Sequence, residues 1–85
     1  MPKSQFTDAY GIFVQTFIAA RKRARLSQVE VAKRIGRDQP FVSLVERGVR
    51  RVDVIEFCVF ARALGTTPEA LMAEVSVKLP AEIQI

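Results

Sequence analysis

The sequence predicts an all-α domain of five helices, with a central helix-turn-helix and a short C-terminal tail. Three observations predict it. Apolar residues recur at helical spacing in successive short segments. Ser27, Asp38 and Asp53 stand as N-caps before three of those segments. Gly36, Gly48 and Gly65 stand where segments stop. The chain has 85 residues, enough for one domain. A domain of this size buries only about 60–65% of its unfolded surface, so it depends on close packing or on self-association.

Residues 1–8 are polar and are expected to form a flexible N-terminal segment. From about Ala9 to Ala24, Tyr10, Phe13, Val14, Phe17 and Ile18 recur at helical spacing, which gives the first helix. Arg21, Lys22 and Arg23 at its end suit the negative end of the helix dipole. Ser27 followed by Glu30 reads as a capping box and opens the second helix, from about Gln28 to Ile35. That helix turns Val31, Ala32 and Ile35 inward and stops at Gly36. Asp38 caps the third helix, and Pro40 sits in its first turn, where no amide bond is needed. Val42 and Val45 face the core, with Phe41 on the shoulder, and Gly48 ends the helix.

Asp53 and Glu56 repeat the cap pattern for the fourth helix, which reaches about Leu64 and Gly65. Thr67-Pro68-Glu69 opens a fifth short helix, to about Glu74. From Val75 the tail alternates apolar and polar through Val77 and Leu79 and breaks at Pro80, a pattern of an edge strand or a loose arm. The expected division is a flexible segment 1–8, a helix-turn-helix domain 9–75 and a C-terminal tail 76–85 available as a dimerisation arm. There is no internal repeat and no low-complexity stretch.

Composition narrows the function. No apolar run approaches the ~20 residues of a membrane span. Met1-Pro2-Lys3-Ser4 leads no apolar run with a small-residue cleavage site, so no signal peptide is expected. Cys58 is the single cysteine, and no metal site is visible. A reducing, cytoplasmic location fits. The chain has no histidine, no nucleophile–base pair placed by motif and no Gly-rich phosphate loop, so no enzyme is expected. No cofactor and no small-molecule ligand are evident. Between Arg21 and Arg51 there are ten basic and three acidic residues; the rest of the chain has three basic and six acidic. Positive charge gathered in one third of a molecule is what phosphate neutralisation requires, although a solvated basic face would carry it too.

The second and third helices are joined by about three residues around Gly36. A connection that short makes two helices cross at roughly 90–120°, the helix-turn-helix unit. Ala32 is small at the crossing, and Val42 and Val45 pin the third helix to the core. Positions 39, 40, 43, 44 and 47 then form one stripe opposite those valines.

The stretch Leu26-Ser27-Gln28, Val31-Ala32, Ile35-Gly36, Gln39, Val42-Ser43 and Val45-Glu46-Arg47-Gly48 resembles the phage-repressor helix-turn-helix family, Xre/Cro-type and lambda-repressor-like. Ala61-Arg62-Ala63-Leu64-Gly65 and Pro68-Glu69-Ala70-Leu71 fit that family's last two helices, and the resemblance covers roughly residues 9–75. It implies sequence-specific binding of double-stranded DNA, with the third helix in the major groove, by a transcriptional regulator, first of all a repressor.

The resemblance also implies residue roles. Gln39, at the start of the third helix, reads a base edge, and glutamine can bond adenine bidentately. Pro40, Ser43 and Leu44 share the base-facing stripe. Gln28, Arg37, Arg47, Arg50 and Arg51 are the phosphate contacts; ordinary solvation of exposed polar side chains is the plainer reading of any one of them. Glu46 would repel phosphate, and the family pairs it with an arginine late in the first helix, so Arg21–Glu46 reads as a structural ion pair. Two positions depart from the pattern. Leu44 stands where the family often has Lys or Arg, and can only touch a thymine methyl. Pro40 replaces a small polar residue and removes a donor.

Ile55 and Val59 lie on the outer face of the fourth helix, away from Phe57, Ala61 and Leu64. Their expected cover is either the tail, through Val77 and Leu79, or a second copy; a homodimer is the favoured expectation. Two-fold symmetry would set the two recognition helices about 34–36 Å apart, one turn of DNA. The rival reading is an antitoxin or protein-interaction module that binds a partner protein as well as DNA. RNA binding is less suited, because no aromatic platform interleaves the basic patch.

Overall fold

A computed structural model describes residues 8–84. Of the expected flexible segment, residues 1–7 lie outside the described residues, while Asp8 is already helical. The described chain is all helical, in the order α1 (Asp8–Arg23), α2 (Gln28–Ile35), α3 (Gln39–Glu46), α4 (Val54–Ala63) and α5 (Pro68–Lys78).

Local chemistry sets most of the boundaries. Ser27 accepts the Glu30 amide, and the Glu30 carboxylate accepts the Ser27 amide, closing the box that starts α2. Gly36 ends that helix at φ 75°, a left-handed conformation glycine adopts without a Cβ penalty. Asp38 caps α3 through the Phe41 amide, with Pro40 in the first turn. Asp53 and Glu56 form a second complete box at the start of α4. Thr67 caps α5 through the Ala70 amide. In the turn after α1, Arg25 takes φ 61°, and its amide bonds the Lys22 carbonyl.

The helices close on one core. Val31, Val42, Val45, Phe17, Ala61 and Leu71 are completely buried; each large apolar side chain so buried is worth about 1.5–3 kcal/mol. Phe17 meets Phe60 edge-on at 4.8 Å. Phe41, expected on the shoulder, is instead part of this core: it is buried and stacks on Phe60 at 6.2 Å. Buried Thr16 keeps its hydroxyl satisfied by donating to the Ile12 carbonyl at 2.7 Å. α2 packs on α3 and α4, α1 on α3 and α5, and α4 on α5. Through these contacts α3 is held by its inner face while its outer stripe faces solvent.

The end of the chain departs from the expected strand or loose arm. α5 continues four residues past Glu74, to Lys78. Val75 is buried and Val77 is exposed. A step of two residues turns a helix by about 200°, close to a strand's 180°, so a short inward–outward alternation suits both.

Candidate nucleic-acid interface

α3 presents Gln39, Pro40 and Arg47 exposed and Ser43 and Leu44 half-buried, all on the side away from Val42 and Val45. The Arg47 Nε donates to the Ser43 hydroxyl one turn back at 3.3 Å. None of the five belongs to the core cluster.

Arg21 and Glu46 join the end of α1 to the end of α3. Arg21 Nε lies 2.5 Å from one Glu46 oxygen and its terminal nitrogen donates to the other at 3.0 Å. Another guanidinium nitrogen donates to the Leu26 carbonyl at 2.8 Å. Both side chains are nearly buried, 12% and 6% exposed, so this is a desolvated, bidentate pair. Two glutamines extend the pair outward, a connection that the sequence did not suggest. Gln28 Nε2 donates to Glu46 at 2.9 Å, and Gln39 Nε2 donates to Gln28 Oε1 at 2.7 Å. A line of hydrogen bonds therefore runs from the buried ion pair to the tip of α3. Its clue was chemical: Glu46 has more acceptor sites than one guanidinium fills.

The expected phosphate contacts divide into two kinds. Arg37 and Arg47 are exposed. Arg50 is engaged: its guanidinium pairs with Glu56 at 2.7 and 3.1 Å and also donates to the Arg51 carbonyl. That bonding raises the Arg50 pKa above its ordinary value and lowers that of Glu56, which also accepts the Asp53 amide. Arg51 lies over the Tyr10 ring at 4.1 Å, and the Tyr10 hydroxyl accepts the Val52 amide at 3.1 Å. The loop after α3 is thus fastened at both ends. Arg34, another basic residue of this region, donates to the Ala63 carbonyl at the end of α4. Six-residue spacing across a loop gives no sequence signal for an Arg50–Glu56 pair.

Of the residues expected to form a dimer face, Ile55, Val59 and Val77 are exposed and Leu79 is half-buried. Ile55 and Val59 are exposed, at 72% and 43%. The tail does not cover them. Val77 points outward from α5, and half-buried Leu79 lines a groove of about 340 Å³ with Tyr10, Phe13, Val54 and Met72. Cys58 is half-buried. Among the described residues there is no cluster suited to a metal ion, and no helix long and apolar enough to cross a membrane.

The Helix-turn-helix domain family matches residues 13–75. Among solved structures, an XRE-family like protein from Pseudomonas syringae pv. tomato is similar at 41% identity, with a TM-score of 0.79, over 86% of this chain and 89% of that one. The restriction-modification controller protein C.AhdI from Aeromonas hydrophila is similar at 31% identity, with a TM-score of 0.66, over 78% of this chain and 99% of that one. No curated protein sequence matches. With the match spanning α2, the turn at Gly36 and α3, the chain belongs to the XRE-type helix-turn-helix family.

Proposed function

We propose that this chain is a sequence-specific double-stranded DNA-binding regulator of transcription, a repressor acting as a homodimer in the cytoplasm, with α3 in the major groove. Membership of the XRE-type helix-turn-helix family supports DNA-binding regulation, and a restriction-modification controller among its relatives supports a regulatory role. We assign DNA recognition to the unit 9–75.

The observation that carries the reading is the orientation of Gln39. Glu46 only accepts hydrogen bonds, so Gln28 must turn its NH₂ toward it and its oxygen away. Gln39 must then offer its own NH₂ to that oxygen. One N–H and the Oε1 of Gln39 remain for DNA. Adenine presents the matching pair in the major groove, an N7 acceptor and an N6 donor. Ser43 and Leu44 follow along the stripe, and Leu44 suits a thymine methyl. Gln28, Arg37, Arg47 and Arg51 are the assigned phosphate contacts. Arg50, which braces the loop through Glu56, keeps further N–H donors and is assigned a phosphate contact with them.

Selection of bound duplexes from a random pool tests this directly. The expected product is a two-fold symmetric site with an adenine that disappears from the consensus of a Gln39→Ala variant. A selection that enriches no sequence rejects the reading. A variant consensus that keeps the same adenine rejects the Gln39 assignment.

A further inference from the structure

The outward stripe of α3 has two flanks. Helical residues succeed one another at about 100°, so Glu46 borders Gln39 on one side, and Leu44 and then Phe41 lie on the other. The Glu46 flank is ordered by the ion pair with Arg21. Arg37 opens the opposite flank from the turn before α3. It is exposed and forms no ion pair among the described residues. Yet its guanidinium carbon lies 3.8 Å from the centroid of the Phe41 ring. That ring is itself immobilised, only 7% exposed and stacked within 4° of parallel on Phe60.

We propose that Phe41 is a positioning residue of the DNA interface, whose ring holds the Arg37 guanidinium in place for a phosphate on that side of the groove. The inference rests on the DNA-binding reading above. A guanidinium lying on a ring keeps its N–H donors in its own plane, directed outward from the stack. It therefore engages an oxyanion without leaving the ring. The cost of ordering a long side chain, large when it falls at the moment of binding, is already met in the free protein. Arg50 is the second cation over Phe41, at 5.0 Å, but Glu56 neutralises it. Arg37, which forms no ion pair among the described residues and feels Glu56 only at longer range, brings the charge available to a phosphate. A lysine at this position would have equal charge without a planar fork to stack.

The test is a double-mutant cycle between positions 37 and 41, read by titration on a random-sequence duplex of roughly 30 base pairs at several salt concentrations. Arg37→Lys, with net charge unchanged, is expected to weaken binding about two- to fivefold. Phe41→Leu should weaken it by a similar factor, and the double variant no further than either single one. Arg37→Ala should flatten the dependence of log affinity on log salt by about 0.9. The proposal is overturned by Arg37→Lys binding as the wild type does, or by Phe41→Leu costing as much in the Arg37→Lys background as alone. If circular dichroism shows Phe41→Leu unfolded, the position-37 variants decide: affinity of Arg37→Lys near that of Arg37→Ala supports the stack, and affinity near wild type overturns it. Failure of the DNA-binding reading itself has a separate signature, a wild-type protein without salt-dependent affinity for the duplex, and it overturns the proposal too.

Discussion

Glu46 takes two hydrogen bonds from Arg21 and one from Gln28 at a side chain only 6% exposed. Removing one partner of such a pair leaves a buried charge uncompensated, which costs about 3–5 kcal/mol. Arg21→Met is therefore expected to lose roughly that much stability in urea denaturation. A loss below about 1 kcal/mol would show that water replaces the guanidinium. Gln39 sits at the other end of the same line of bonds and is exposed, so its loss acts on recognition instead. Gln39→Ala should cost about 1–3 kcal/mol on the selected operator and almost nothing on random duplex, with stability changed by less than about 0.5 kcal/mol. Equal affinity of wild type and variant for the operator would remove Gln39 from base recognition. Leu44→Ala belongs to the same measurement, with its smaller loss confined to sites where thymine rather than uracil is present.

At the scale of elements, the two capping boxes link fold stability to pH. Glu30 is held below its ordinary pKa of 4.5 by the Ser27 amide and hydroxyl. Glu56 is held below the same value by Arg50 first and the Asp53 amide second. Both carboxylates are depressed by folding, so their contribution is fully present above about pH 4.5 and is lost as pH falls through the lower folded values. The thermal midpoint should fall on acidification below pH 4.5, and Glu56→Gln should show a shallower fall than wild type. Parallel curves would mean that Glu56 contributes nothing to the acid response. These boxes also account for the part of the fold that was legible in the sequence. A cap depends on residues three apart, so the starts of α2, α3 and α4 came from Ser27, Asp38 and Asp53 alone. The last turns of α5 did not, because Val75 and Val77 suit helix and strand alike over so short a span. The core placement of Phe41 and the ion pair of Arg50 were not legible for a different reason. Their partners, Phe60 and Glu56, meet them only after the loop between α3 and α4 has folded. Arg21–Glu46 came from family resemblance, since a separation of 25 residues has no local signature.

For the molecule as a whole, the outer face of α4 remains to be covered. Ile55 and Val59 lie one turn apart and exposed, and neither Val77 nor Leu79 reaches over them. A homodimer through this face predicts that Ile55→Glu with Val59→Lys gives a folded monomer with much weaker operator binding. Sedimentation is the check: a wild-type monomer at high micromolar concentration, with and without DNA, would reject that arrangement. The division of α3 into a buried inner side and an outer stripe absent from the core has a consequence for how such a protein acquires new targets. Positions 40, 43, 44 and 47 are open to randomisation in a library without emptying the core, so its address on DNA can drift while its architecture stands still. Position 39 is the exception. Its amide is matched to Gln28 and through it to Glu46, so a new letter there keeps the line of bonds only when 28 is selected with it.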